Sequence, residues 1–342
     1  MDVRLTDEQR ALQGAARDWL AQRFPIERLT RIADAPPVRD ADLWHELATM
    51  GWTGLGVPES VGGGGATLVE EALVAEECGR GLLPAPLLST AIALPLLDDA
   101  LIGAVVAGER AVTLARGDFR ADGSSLAGRA EGVADLPWVT DVVVTDGTDV
   151  WAVDLVEHAD AVATVQPVDG TRPIGHLQLD GVPATRLSAG PSEIEAARLR
   201  GLVLIAAESV GVGQRCLELG VEHARQREQF GRPIGSYQGV GFALADSYAA
   251  VEYARSLTYW AAWAGAVDDP QAAVAASAAR VHASDAAVFA AERAIQTYGG
   301  LGMTWDAPVH RWYKRALAST FFDGATGDHR DVVAASLLGA VE

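Results

Sequence analysis

The first third of the chain places apolar residues at intervals of three or four, which is typical of amphipathic helices. Thr6 followed by Gln9 is a capping-box signature, in which two side chains satisfy backbone N–H groups of the first helical turn. The same spacing returns over residues 43–50 and 68–79. We therefore predict an N-terminal helical domain over residues 1–109.

The period of the pattern changes in the middle of the chain. Over residues 142–153, β-branched and aromatic residues flank an Asp-Gly pair at 146–147, which predicts two strands joined by a hairpin turn. Residues 161–165 and 174–179 predict further strands. The pattern predicts a small β domain over residues 110–190.

Helical spacing then resumes and continues to the end of the chain. Long helices are predicted over residues 240–264 and 272–296, within a C-terminal helical bundle over residues 191–342. Helices come first, strands second and helices last, so the two kinds of element are segregated. This order favours an α+β fold that is mostly α, and not an alternating doubly wound fold.

Composition narrows the classes of partner and location. The net charge of −19 argues against nucleic acid and anionic membranes as partners. No apolar run reaches the roughly 20 residues that a membrane span needs, and the acidic N-terminus does not resemble a signal peptide, so a cytoplasmic protein is expected. Cys78 and Cys216 are too few and too far apart for a metal site, and we predict that both are buried.

A first polar stretch interrupts the C-terminal helices at Arg227-Glu-Gln-Phe-Gly-Arg-Pro-Ile-Gly235 and is followed by Gln238; we call residues 227–238 the Arg227 stretch. Arg227 offers fixed cationic donors for a pyrophosphate, and Gln229 offers an amide. Phe230 offers a flat apolar surface for a ring. Alone, this sequence predicts only a loop between two helices.

A second stretch, Gln296-Thr-Tyr-Gly-Gly-Leu-Gly302, follows a predicted long helix; we call it the Gln296 stretch. Gly299 and Gly300 allow a sharp turn and bring backbone N–H groups close to a ligand. Such a run usually ends a helix. It is not a Rossmann fingerprint, because a helix and not a strand precedes it.

Together, in this order and at this separation, the two stretches resemble those of the acyl-CoA dehydrogenase family. The N-terminal half agrees: Val57-Pro-Glu, Gly62-Gly and Glu76-Glu-Cys-Gly-Arg80 are similar to the first helical domain of that family. The resemblance covers nearly the whole chain and is weakest in the β domain.

The resemblance implies an N-terminal helical domain, a middle β domain and a C-terminal four-helix bundle, with FAD bound between them. In this family FAD is shared across a subunit interface, so the protein is expected to be at least a dimer. The residues implied to contact FAD on one side are Arg227, Gln229, Phe230 and Gln238, and those implied to contact the FAD of the neighbouring subunit are Gln296, Gly299 and Gly300.

The family's reaction removes the α proton of an acyl thioester and transfers the β hydrogen to flavin as hydride. The substrate is expected to be an acyl-CoA or an acyl-carrier-protein thioester, and the electron acceptor an electron-transfer flavoprotein. The commonest base in the family is the Glu of a Tyr-Glu-Gly-Thr segment. Alignment on Gly324 places Asp323 at that position. Asp has one methylene fewer than Glu, and proton transfer is sensitive to shifts of about 1 Å.

Some family members carry the base on the first helix of the C-terminal domain instead. The corresponding position here is Gly201, with no acid within two residues, which excludes that arrangement. Glu208, further along, is expected to be a packed or paired helix residue, and His329 to cap or pair locally. Trp138-Val-Thr140 is expected to lead into a strand, although it superficially resembles a flavin contact of the family.

Two alternative functions remain open from the sequence. The short β domain and the altered base segment are similar to partner subunits of heteromeric actinobacterial enzymes, which oxidise bulky thioesters such as steroid side-chain CoA esters. In that case the chain completes the flavin site of another subunit and forms a hetero-oligomer, in place of a homo-oligomer. The other alternative is a flavin-dependent oxidase or monooxygenase on the same fold.

Overall fold

The structure is a computed structural model that describes residues 4–339 of the 342-residue chain. Helices occupy both ends of the chain and strands the middle, as the segregated pattern predicts. The first six helices are α1 (Asp7–Arg23), α2 (Ile26–Asp34), α3 (Ala41–Thr49), α4 (Leu68–Gly81), α5 (Leu87–Ala93) and α6 (Asp99–Val106).

Eight strands follow these helices. They are β1 (Val112–Arg116), β2 (Asp118–Asp122), β3 (Ser125–Ala134), β4 (Asp141–Thr145), β5 (Val150–Asp154), β6 (Val162–Val165), β7 (Ile174–Pro183) and β8 (Thr185–Arg186).

The C-terminal part is helical except for one small hairpin. Its elements are α7 (Pro191–Gln226), β9 (Glu228–Gln229), β10 (Arg232–Pro233), α8 (Gln238–Ala266), α9 (Ala272–Tyr298), α10 (Val309–Ser319) and α11 (Thr326–Leu338).

These elements form two compact units that each join distant parts of the sequence. One unit contains residues 4–29, Leu68–Leu83 and everything described after Gly201; the other contains Thr30–Thr67 and Pro84–Gly201. In this division α1 and α4 belong to the same compact unit as the C-terminal helices. The division into three domains at residues 109 and 190 stays a prediction.

The unit with the strands contains two four-stranded sheets, in the orders β1-β4-β5-β8 and β2-β3-β7-β6. The predicted hairpin is present as β4 and β5, whose register pairs Thr145 with Val150. Its turn is stabilised by the carboxylate of Asp146, which accepts hydrogen bonds from the backbone N–H groups of Thr148 and Asp149 at 2.9 and 3.1 Å. Such a local bond explains why the short Asp-Gly signal sufficed to predict it.

The other unit is a bundle in which small residues let helices approach closely. The capping box of α1 is formed as predicted, since Gln9 N donates to Thr6 Oγ1 at 3.1 Å. A Cβ added to Gly79 of α4 would lie 2.0 Å from the carbonyl oxygen of Glu208, and one added to Gly211 of α7 would lie 1.8 Å from that of Glu76. The backbones of α4 and α7 are therefore in direct contact, and neither glycine can be replaced without separating them.

Alanine fills most of the buried face of α9. Because alanine loses no side-chain rotamer freedom and takes little space, α9 packs along α8, α10 and α11 at short range. The buried alanines of α9 are Ala275, Ala276, Ala279, Ala283, Ala286, Ala287, Ala290, Ala291 and Ala294.

Candidate functional site

The Arg227 stretch forms a tight hairpin immediately after α7. Strands β9 and β10 pair Gln229 with Arg232, so Phe230 and Gly231 form a two-residue turn. Both turn residues have positive φ, at 53° and 78°, as hairpin turns that suit the twist of the strands require. Phe230 is thus held in a conformation that costs a non-glycine residue about 1–2 kcal/mol, and its side chain is 93% exposed. Backbone strain that presents a large aromatic ring to solvent marks a candidate binding residue.

Contacts within the stretch fix the hairpin against the start of α8. The hydroxyl of Tyr237 donates to the carbonyl oxygen of Gln229 at 3.0 Å, and the guanidinium of Arg232 lies 3.9 Å from the centre of the Tyr237 ring. The helix predicted over residues 240–264 begins at Gln238. The side chains of Arg227, Gln229 and Gln238 are all exposed on this surface.

The Gln296 stretch ends α9. Gly299 has φ 62° and ψ −137°, a combination that is essentially restricted to glycine. A Cβ added to Gly299 or Gly300 would meet no atom of residues 4–339 within 4 Å, whereas one at Gly302 would lie 2.4 Å from the carbonyl oxygen of Ile295. Glycine is therefore required by the backbone conformation at Gly299 and by packing at Gly302. At Gly300 neither applies, and the surface there is open.

A stacked pair of rings brings the two stretches together. His223, one turn before Arg227, stacks on Tyr298, which precedes the glycines, with centroids 4.1 Å apart and planes 13° apart. Burial lowers the pKa of His223, and the positive charge of Arg227 lowers it further, so the ring is neutral at physiological pH. The two stretches that the sequence singled out thus lie at the same end of the bundle.

The groups at this end suit a large, anionic cofactor with many hydrogen-bonding atoms. Arg227 contributes a cation, while Gln229, Gln238 and Gln296 contribute amide donors. Phe230 adds a flat surface. These side chains are exposed in the single chain and are therefore accessible to a ligand or to a second chain.

The predicted base, Asp323, lies in a turn between α10 and α11; we call residues 319–325 the Asp323 turn. Asp323 is partly buried and has φ 55°, followed by Gly324 with φ 94°. Its carbonyl oxygen lies 3.0 Å from Nε2 of His329, which is 3% exposed. Since a carbonyl oxygen can only accept, Nε2 of His329 carries the proton. His329 therefore makes the local contact that its position predicted.

Sequence reasoning missed Arg280, which reaches the same turn from α9. Its side chain is fully buried, and Nη2 donates to the carbonyl oxygens of Ser319 and Phe322 at 2.6 and 3.0 Å. Burial lowers the pKa of Arg280 to about 10, an effect that the negative charges of Asp323 and Asp285 oppose. A lone arginine on the alanine-filled face of α9 was the only signal, and it does not reveal which segment the side chain contacts.

Two other polar residues have structural roles. Glu208 is 1% exposed and accepts a hydrogen bond from Arg315 at 2.7 Å, as expected of a paired helix residue. Thr140 Oγ1 accepts from Ala111 N at 2.8 Å and lies 2.7 Å from an Asp141 carboxylate oxygen. These bonds tie the Thr140 hydroxyl to the start of β4, as expected of a residue that leads into a strand.

The chain matches two family models, described as "Acyl-CoA dehydrogenase, N-terminal domain" over residues 6–100 and "Acyl-CoA dehydrogenase, C-terminal domain" over residues 196–338. It belongs to the acyl-CoA dehydrogenase family. The resemblance of the two polar stretches is thereby confirmed at the level of the family. The mostly helical α+β fold predicted from the sequence is confirmed too.

A curated relative and two solved structures place the chain within this family. Acyl-CoA dehydrogenase IpdE2 of Mycobacterium tuberculosis is 35% identical over 286 residues, which cover 82% of this chain and 81% of IpdE2. The ChsE4–ChsE5 complex of the same organism contains a chain with a TM-score of 0.88 and 26% identity, covering 100% of both chains. A chain of the Tcur3481–Tcur3483 steroid ACAD G363A variant has a TM-score of 0.86 and 27% identity, covering 97% of this chain and 98% of that one.

Membership makes this acyl-CoA dehydrogenase a flavoprotein oxidoreductase with FAD as its cofactor. FAD is a large dinucleotide with a pyrophosphate and a flat ring, and the cation, amides and exposed aromatic described above fit such a group. Within residues 4–339, no helix combines the length and the hydrophobicity that a membrane crossing requires.

Proposed function

We propose that the protein catalyses the FAD-dependent α,β-dehydrogenation of an acyl thioester, with Asp323 as the base. The observation that carries this proposal is the Asp323 turn. Asp323, which the alignment on Gly324 matches to the family's base, lies on a backbone with two successive left-handed residues that is held from both sides. Turns of this kind cluster at functional sites, where the surrounding structure maintains the strain.

Each named side chain has a defined task in this proposal. Arg227 binds the pyrophosphate of FAD, with Gln229 and Gln238 as further donors and Phe230 as a surface for a ring. Gln296, Gly299 and Gly300 contact the FAD of a neighbouring subunit. The carboxylate of Asp323 accepts the α proton of the thioester, while bound FAD supplies a hydride acceptor for the β hydrogen.

The substrate is proposed to be a CoA ester with a bulky acyl group. Support comes from the likeness to a chain of the Tcur3481–Tcur3483 steroid ACAD, which covers 97% of this protein. A carrier-protein thioester would present the same reacting atoms. An electron-transfer flavoprotein is the proposed electron acceptor.

An oligomer is required because one chain supplies only part of the flavin site. Large apolar side chains stay exposed beside both stretches and on α11, where a soluble monomer would gain nothing from them. ChsE4–ChsE5 is a complex of two differently named proteins, and the Tcur3481–Tcur3483 steroid ACAD likewise joins two names, which supports a hetero-oligomer as the second candidate. The exposed apolar residues in question are Phe230, Met303, Trp305, Phe321, Leu337 and Leu338.

The test measures flavin bleaching by a panel of acyl-CoA esters in wild type and in Asp323→Asn. The chain is purified alone and after co-expression with a second acyl-CoA dehydrogenase-like chain. We expect bound FAD in both variants, and bleaching in wild type only. Asp331→Asn is the matched control, since Asp331 is an exposed carboxylate on α11.

The outcomes separate the two candidate functions. Unchanged bleaching by Asp323→Asn would eliminate Asp323 as the base. A chain that binds FAD only with its partner, and whose Asp323→Asn variant supports full activity there, is a non-catalytic subunit.

A further inference from the structure

The most unusual buried group in the bundle is the guanidinium of Arg280. It is 0% exposed and is among the largest fully buried side chains in residues 4–339. The other buried residues of α9 are alanine and serine, together with Val281. Removing a cation from water costs several kcal/mol, and the cost is recovered only if good partners surround it.

The partners of Arg280 are concentrated in one place. A single nitrogen, Nη2, donates to the carbonyl oxygens of Ser319 and Phe322. Ser319 is the last residue of α10, where carbonyl groups lack partners within the helix and the helix dipole favours a cation. Arg280 therefore caps α10 and also closes the Asp323 turn at the residue before the proposed base.

The rest of the guanidinium is attracted by the negative charges of Asp323 and Asp285 but is poorly hydrogen-bonded. Nε and Nη1 of Arg280 find no hydrogen-bond acceptor in residues 4–339, and the buried hydroxyls of Ser277 and Ser284 on the same helix face find no partner there either. Each unsatisfied buried donor is destabilising. Replacing a poorly compensated buried charged residue by an apolar one of similar size is often neutral or stabilising. Arg280 is thus a poor choice for stability alone.

We infer that Arg280 is a positioning residue that holds the Asp323 turn in register for proton abstraction. The inference rests on the proposed function, because it concerns the geometry of the same base. Arg280 fixes the carbonyl before Asp323, and His329 fixes the carbonyl of Asp323 itself, so the backbone is held on both sides of the carboxylate.

The shorter side chain of aspartate makes this support necessary. A glutamate base can compensate for a displaced backbone by rotating one additional bond, whereas Asp323 has one methylene fewer. The position of its carboxylate is therefore set more directly by the backbone of the turn. A shift of about 1 Å at a reacting group can cost up to a hundredfold in rate.

The experiment compares Arg280→Met and Arg280→Lys with wild type in the FAD-loaded oligomer. For Arg280→Met we expect faster amide hydrogen exchange confined to residues 320–325 and an unchanged or higher Tm. We also expect kcat to fall roughly tenfold to a hundredfold at nearly constant KM, because geometry and not substrate binding is lost. Arg280→Lys keeps a donor cation and should restore part of both exchange protection and kcat.

The control is Arg330→Met, which removes an exposed arginine that joins α11 to Asp285 of α9 at 2.6 Å. It should leave kcat and the exchange of residues 320–325 unchanged. A lower Tm in Arg280→Met with faster exchange along the whole of α9 would identify a structural residue and overturn the inference. Wild-type exchange and kcat in Arg280→Met would overturn it as well. If Arg280→Met does not fold, wild-type protection and kcat in Arg280→Lys overturn it, because the shorter lysine side chain does not reach the position from which Nη2 donates to both carbonyl oxygens.

Hydrogen exchange keeps the two proposals distinguishable. If Asp323→Asn stays active, the proposed base is wrong, yet Arg280→Met still reports whether the turn is held from α9. If Asp323→Asn is inactive and Arg280→Met keeps its kcat, the base stands and the positioning role fails.

Discussion

The imidazole of His223 lies nearly parallel to the phenol ring of Tyr298, with centroids 4.1 Å apart. This contact joins the last turn of α7 to the last turn of α9. It sets the spacing between the Arg227 stretch and the Gln296 stretch, which neither helix determines alone.

Replacing His223 by alanine should weaken FAD binding more than it weakens the fold. An aromatic pair contributes about 0.5–1.5 kcal/mol beyond its buried area, so the Kd for FAD should rise roughly twofold to tenfold. Titration of the apoprotein with FAD, followed by flavin fluorescence, measures the change. His282→Ala is the matched control, because His282 forms another histidine–tyrosine pair with Tyr253, with centroids 5.0 Å apart. Equal Kd values for His223→Ala and wild type would contradict the prediction.

The pH dependence of stability should carry a contribution from His223. Its folded-state pKa is lowered by burial and by Arg227, whereas the unfolded value is about 6.5. The folded protein therefore binds fewer protons than the unfolded chain, so this stability is present above about pH 6.5 and is lost as the pH falls through the folded pKa. His223→Phe keeps an aromatic ring but cannot titrate. Between pH 7.5 and pH 5.5, Tm should fall further in wild type than in His223→Phe, and parallel curves would refute this.

Replacing Phe230 by glycine should stabilise the fold but weaken FAD binding. Glycine adopts the φ of 53° without the penalty paid by phenylalanine, so Phe230→Gly should raise the free energy of unfolding by roughly 1 kcal/mol. The same change removes the exposed ring and should weaken FAD binding. Phe230→Ala separates the two effects, since it loses the ring but keeps the strain. Urea unfolding and FAD titration give both quantities, and a less stable Phe230→Gly would show that the ring is packed in the folded protein.

The buried pair Glu208–Arg315 should respond strongly to loss of one partner. Both side chains are 1% exposed, so Glu208→Gln leaves a buried guanidinium without its counter-charge and should cost roughly 3–5 kcal/mol in urea unfolding. Glu195→Gln breaks the exposed pair with Arg198 and should cost less than about 1 kcal/mol. Similar losses in the two variants would mean that burial does not govern the strength of these pairs.

Local signals explain what could be predicted from the sequence. The capping box at Thr6, the Asp-Gly hairpin and the start of α8 at Gln238 each depend on residues a few positions apart. The family resemblance added the expectation that the Arg227 stretch and the Gln296 stretch contact FAD, which stays a prediction. The left-handed backbone of Phe230 was not predicted, because phenylalanine gives no sign of positive φ in a sequence.

Contacts between distant segments explain what was missed. Arg280 and Ser319 are separated by most of α9 and all of α10, and no spacing rule connects an arginine in one helix with carbonyl groups in a later turn. The compact units were missed for the same reason. One of them combines residues 4–29 and Leu68–Leu83 with the described residues after Gly201, and the contacts of Gly79 and Gly211 that join α4 to α7 within it cannot be recognised from the sequence alone.

The direct contact of α4 and α7 through Gly79 and Gly211 can form only after α7 has been synthesised. Segment Leu68–Leu83 leaves the ribosome while Pro84–Gly201 is still being made, and its partner residues follow only afterwards. At about 5–20 residues per second, this interval lasts several seconds at least. Throughout this interval, the face of α4 that carries Gly79 is not yet covered by α7. Conditions that slow translation between residues 84 and 201 lengthen this exposure.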